Sequence, residues 1–165
     1  MTDDQQPAQV KALSWGVKQS FRGYVEATGG TIETAAGAER AADGGFTFAP
    51  AAGNALRLDA TGQPEGRGGF LGEVRFQAHG GMLSVRIVDP AVEIGASGAT
   101  LTVADAGAPT GRVEIARLDL AAMTAGDHGE IVIPTALSMD GSWLLGDHYP
   151  PNTPLDPVRL TLAES

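Results

Sequence analysis

The sequence predicts a mainly β, antiparallel domain. Most of the chain falls into short stretches that alternate apolar and polar residues, separated by clusters of Gly, Pro, Asp and Asn. Only one early stretch carries a helical apolar period, so long helices and βαβ crossovers are not expected. Glycine is abundant at 23 of 165 residues, which suits closely spaced turns. The length fits one domain with a real core, expected over residues 13–165 after a polar N-terminal arm at 1–12.

The helical stretch is residues 14–26. Ser14 is the expected N-cap, because its oxygen can accept from free N–H groups of the first turn. Val17, Phe21 and Tyr24 follow at i, i+4 and i+7 and are expected on one face, with Ser20 one turn before Tyr24. Thr28-Gly29-Gly30 ends the helix. Strands are expected at 30–34, 45–48 and 55–59. The longest runs from Gly69 to Ala78, with Phe70, Gly72, Val74, Phe76 and Ala78 on one side and Leu71, Glu73, Arg75, Gln77 and then His79 on the other. Gly80-Gly81 predicts a hairpin turn, and 82–88 returns with Leu83, Val85 and Ile87 on one face. Asp89-Pro90 breaks that strand. Residues 91–94 and 99–103 form another hairpin, 112–120 a further strand, 130–133 a strand stopped by Pro134, and 158–162 the last. Residues 135–145 read as a short helix or turn, interrupted at Asp140-Gly141, with Trp143 packing. Residues 146–154 form an irregular, Pro-rich loop with His148 and Tyr149. The sum is about ten strands with one or two short α-helices.

The formal charge of −9 argues against nucleic acid and anionic membrane surfaces, which select basic patches. Cysteine is absent, which removes disulfides, thiol chemistry and thiolate metal sites. No apolar run reaches the roughly 18 residues of a membrane span. Met1 to Pro7 lacks a basic n-region and an apolar h-region. A cytoplasmic location is therefore expected if the chain is whole, and an extracellular or cell-surface one if it is a piece of a longer exported protein. Phosphate-binding loops, the Gly-x-Ser-x-Gly elbow and zinc-type His spacing are all missing. His79, His128 and His148 each read alone as ordinary histidines, and Tyr24 reads alone as a core tyrosine with its hydroxyl satisfied.

Six stretches change that reading. They are Leu-Ser-Trp-Gly-Val-Lys-Gln-Ser-Phe-Arg-Gly-Tyr-Val at 13–25, Gly-Gly-Thr-Ile-Glu-Thr at 29–34, Gly-Gly-Phe-Thr-Phe at 44–48, Val-Arg-Phe-Gln-Ala-His-Gly-Gly-Met-Leu at 74–83, Asp-Pro-Ala-Val-Glu-Ile at 89–94 and Leu-Asp-Pro-Val-Arg-Leu-Thr-Leu at 155–162. In this order, and over nearly the whole chain, they resemble the HtaA domain, a haem-binding module of Gram-positive bacterial haem-uptake proteins.

The resemblance implies an antiparallel β-sandwich-like domain holding one ferric haem b. By the family pattern Tyr24 is the axial iron ligand, His79 bonds the ligating oxygen, and Ser20 is placed for a propionate. Ferric iron and a hydrogen-bond donor both favour the phenolate form. Phe21, Met82, Leu83 and Tyr149 are the expected apolar walls, with Arg22 a further propionate donor. The family's late loop carries Phe-Tyr where this chain has His148-Tyr149, which makes His148 a candidate sixth ligand or holder of a distal water. The implied role is haem uptake, carriage or transfer, with other haem carriers as relay partners, no nucleic acid, no membrane insertion, and a monomer or haem-linked dimer. Two alternatives stand beside it: a peroxidase-like enzyme using His148 on the distal side, and a non-haem β-sandwich scaffold or adhesion domain.

Overall fold

The computed structural model describes residues 8–59, 61–96, 98–107, 111–126, 130–145 and 149–162. Eight of its strands form a closed ring: β1 (Ala8–Trp15), β4 (Phe46–Pro50), β7 (Arg67–Leu71), β10 (Ala91–Gly95), β11 (Gly98–Ala104), β12 (Arg112–Leu118), β14 (Glu130–Leu137) and β15 (Pro154–Leu162). They pair in the order β4–β7–β10–β11–β12–β14–β15–β1, and β1 pairs back to β4. Every pairing in the ring is antiparallel. The expected mainly β, antiparallel domain is therefore present, and its larger sheet closes on itself in a barrel-like arrangement, which leaves the ring strands no open edge. Short strands β3 (Glu39–Arg40), β5 (Arg57–Leu58), β6 (Pro64–Glu65) and β13 (Thr124–Ala125) extend it. Among the described residues no helix is long and apolar enough to cross a membrane.

A second sheet of three strands, β2 (Thr31–Ala35), β8 (Glu73–Ala78) and β9 (Leu83–Val88), stands beside the ring in the order β2–β8–β9. The stretch 69–78, expected as one strand, is two. The chain leaves the barrel at Gly72 and enters the small sheet. Gly72 has φ 147°, and a Cβ there would lie 2.6 Å from the Ala38 Cβ, so only glycine fits the corner. The return strand bends at the same height: Gly72 N–H donates to Asp89 Oδ1 at 3.0 Å, and Asp89 N–H to the Gly72 carbonyl at 2.8 Å. The side-chain alternation survives the bend. Phe70, Val74, Phe76, Ala78, Leu83, Val85 and Ile87 are all buried, in one core cluster that spans both sheets.

The helix α1 (Gln19–Ala27) starts five residues later than expected. Ser14 lies inside β1, opposite Thr47 and Arg159, so it cannot cap a helix. The polar stretch read as an arm enters the barrel from Ala8. Val17, at φ 64°, turns the chain out of β1. At the other end the sequence reading holds: Gly29 N–H bonds the Glu26 carbonyl and Gly30 N–H the Val25 carbonyl, with Gly29 at φ 80°, a Schellman stop.

Pro134 does not end its strand. β14 runs through it to Leu137, with a register shift between Ile133 and Thr135 where the missing N–H is harmless. A second irregularity, between Leu101 and Thr102, makes Ile115 the extra residue of β12. The freed carbonyls of Glu114 and Ile115 accept from Ser138 Oγ at 2.6 Å and Ser138 N–H at 3.0 Å. Ser138 is also the N-cap of α2 (Met139–Leu144), accepting from Gly141 N–H at 2.9 Å. The bulge thus seats the second helix.

Candidate functional site

Helix α1 lies on the three-stranded sheet through Phe21, whose ring centroid is 5.1 Å from that of Phe76. Its buried face is Phe21, Arg22 and Val25. Tyr24 is not on that face. It is 40% exposed and shares the outer side with the exposed Ser20. The expected shared face of Val17, Phe21 and Tyr24 fails: Val17 precedes the helix, and the buried side runs through Phe21, Val25 and Arg22, which leaves Tyr24 outside it. The core-tyrosine reading fails with it.

The Tyr24 hydroxyl meets His79 Nε2 at 2.6 Å. The two residues are 55 positions apart and come from different elements: Tyr24 from α1, His79 from the first position of the turn between β8 and β9. That turn is four residues long, His79 to Met82, closed by Met82 N–H on the His79 carbonyl at 3.2 Å. His79, Gly80 and Gly81 have φ of 56°, 66° and 94°. A non-glycine residue in the left-handed region is uncommon, and such positions concentrate at functional sites. Here the conformation turns the imidazole toward α1.

Beside this pair a cleft of about 510 Å³ is lined by His79, Met82, Leu83, Ser84 and Val85 from the hairpin and by Trp143 and Leu144 from α2. Met82 is 90% exposed at the turn tip. Leu83 contributes to the lining although largely buried. Among the described residues no three His, Cys, Asp or Glu side chains form a group that could hold a metal ion.

Phe21 and Arg22, also expected at the site, go elsewhere. Phe21 is 1% exposed and belongs to the core, so it cannot be a surface wall. Its ring meets Tyr149 edge-on at 6.2 Å, and Lys18 Nζ sits 5.5 Å from the Tyr149 ring centre. Arg22 is buried and committed. Its Nη1 donates to Asp156 Oδ2 at 2.6 Å and to the Gly16 carbonyl at 2.7 Å, lining a different cavity with Trp15 and Asp43. His148 and His128 lie outside the described residues.

Two residues were missed by sequence reasoning. Trp143 was expected to pack and instead stands out at the cleft; the one signal was an aromatic placed two residues after a helix-loosening glycine. Asp156 clamps α1 to the barrel. Its Oδ1 accepts from Gln19 N–H at 3.0 Å and its Oδ2 holds Arg22. Its N–H donates to the Val17 carbonyl at 2.9 Å, and its carbonyl accepts from Trp15 Nε1 at 2.8 Å. The helix has no side-chain cap of its own; the barrel supplies one. No local pattern around residue 19 announces a cap 137 residues away.

Comparison with known proteins agrees with this architecture. The family model called HtaA matches residues 10–161. No curated protein sequence matches. Among solved structures, the C-terminal domain of HtaA from Corynebacterium glutamicum is 26% identical, covers 96% of this chain and 100% of its own, and superposes with a TM-score of 0.72. The N-terminal domain of the same protein is 24% identical over 96% and 100%, with a TM-score of 0.68. The heme binding protein HtaB of that organism is 19% identical over 97% and 96%, with a TM-score of 0.65. The last two likenesses show the fold.

Proposed function

We propose, from the premise that the chain belongs to the HtaA family, that it binds ferric haem b and carries it or hands it on, with Tyr24 as the axial iron ligand. The observation that carries this reading is the Tyr24 Oη–His79 Nε2 contact at 2.6 Å, on a tyrosine open to solvent beside an apolar cleft. Haem, when bound, supplies a ferric centre with affinity for a hard anionic oxygen. The donor set fits that centre. Tyr24 offers the oxygen, and His79 offers a nitrogen that can accept the phenolic proton and then donate to the phenolate, fixing its direction. Ser20, exposed one turn before Tyr24, would be the donor to a propionate. Met82 and Leu83 provide apolar wall. Arg22 serves the helix rather than the ligand, because its guanidinium is held by Asp156 and Gly16.

Titration of the chain with haemin, followed by absorption, tests the reading. The parent is expected to saturate at one haem per chain with phenolate-type charge-transfer bands. Tyr24→Phe is expected to lose those bands. Tight binding with an unchanged spectrum in Tyr24→Phe would show that another residue ligates the iron.

A further inference from the structure

Trp143 is 72% exposed, yet the helix that carries it is held at its N-cap and through Gly141 and Ser142. Gly141 lies so close to β12 that a Cβ on it would be 2.0 Å from the Ile115 carbonyl oxygen. Ser138 caps the helix and is itself bonded to the bulge. Ser142 Oγ donates to the Tyr149 carbonyl at 2.5 Å. Leu145, at the C-cap of α2, is fully buried. These contacts fix α2 through its buried residues, and none needs the indole. A large aromatic held in place in water, with its apolar surface still hydrated, contributes nothing to the fold by burial.

Its neighbours give it a use. Across the cleft from Trp143 and Leu144 stand Met82, Leu83, Ser84, Val85 and His79. The cleft has two exposed apolar lips, Trp143 and Met82, and one orienting imidazole. A volume of about 510 Å³ falls within the range of sites that hold small organic ligands. A flat apolar ring placed between the lips would bury both of them, and the same imidazole reaches Tyr24.

We infer that Trp143 is a porphyrin-contacting residue: its indole closes the cleft opposite Met82 and packs against the macrocycle. This rests on the haem reading above and extends it to a second element, so that α1 and the β8–β9 turn hold the metal while α2 holds the ring. The restraint on α2 through Gly141 and Ser142 then fixes where the indole stands before the ligand arrives, which lowers the ordering cost of binding.

The test compares Trp143→Ala and Trp143→Phe with the parent chain, each titrated with ferric haemin and with iron-free protoporphyrin IX. Because Trp143 is exposed, the unfolding midpoints of the variants are expected to match the parent. Trp143→Ala is expected to weaken binding of both rings about tenfold, the scale of one aromatic stacking contact. Charge-transfer bands of the ferric complex are expected to stay unchanged, and Trp143→Phe to recover most of the affinity. Parent-like affinity of Trp143→Ala for both rings would overturn the inference. The iron-free ring removes the iron–oxygen bond from the comparison, so a wrong choice of axial ligand would not disturb the result. A parent chain that binds neither ring would overturn both readings together.

Discussion

Asp156→Ala is expected to destabilise the protein by about 3 kcal/mol. The substitution leaves the two backbone bonds of residue 156, to Val17 and from Trp15, in place, so only side-chain bonds are lost. The first is the exposed bond from Gln19 N–H, which acts as a helix cap and is worth about 1 kcal/mol. The second is the pair with Arg22. The Arg22 side chain is 9% exposed and that of Asp156 28%. Breaking a buried pair by removing one partner costs about 3–5 kcal/mol, and the partial exposure of Asp156 lowers this to about 2. Arg22 would keep only the Gly16 carbonyl on Nη1. For a chain of this length about 3 kcal/mol corresponds to a fall in Tm of roughly 6–12 °C. Urea unfolding gives the direct measure: a lower midpoint with an unchanged m-value is expected. A loss below about 0.5 kcal/mol, the level of an ordinary surface substitution, would refute the idea that one residue of β15 anchors the helix bearing Tyr24. Asp156→Asn, which can still accept from Gln19, is expected to fall between the two.

Glu73 is held well below its ordinary 4.5, down to about 2, by hydrogen bonds from Arg86 at 3.1 Å and from Arg75. A carboxyl depressed on folding contributes stability that is fully present above pH 4.5 and is lost as pH falls toward 2. Glu73→Gln is therefore expected to flatten the acid limb of the stability profile between about pH 5 and 2; a profile parallel to the parent over that window would count against the clamp. Gly30→Ala places a Cβ 2.2 Å from the Gln77 carbonyl oxygen, at the join between α1 and β8. Overpacking of this kind costs about 1–3 kcal/mol, and the shift it forces is expected to lengthen the Tyr24–His79 contact and weaken haemin binding more than protoporphyrin binding. Equal effects on the two rings would mean that Gly30 supports the fold without setting that contact.

Much of the chain was determined by local pattern. Alternation in 69–78 and 82–88 assigned every buried apolar side chain of those strands correctly, because a strand's two faces follow from its period of two; Glu73, on the opposite face, is buried beneath Arg75 and Arg86. Thr28-Gly29-Gly30 fixed the end of α1, because a left-handed glycine is a local requirement. Tyr24, Ser20, His79, Met82 and Leu83 were named from the six ordered stretches, and the fold brings Tyr24 to His79 as those stretches implied. What the sequence could not show was decided by distant partners. Ser14 looks like a cap but is a strand residue, because β4 and β15 pair with it. Arg22 looks like a free cation on a helix, but Asp156 takes it. Phe21 and Tyr24 look like one face, but α1 packs on β8 through Phe21, with Arg22 and Val25 completing the buried side, and Tyr24 falls beyond its edge. Trp143 looks like a core aromatic, but a bulge in β12 and the small Gly141 let α2 lie down on its other side. In each case the local signal was real, and a contact made only in the closed barrel outweighed it.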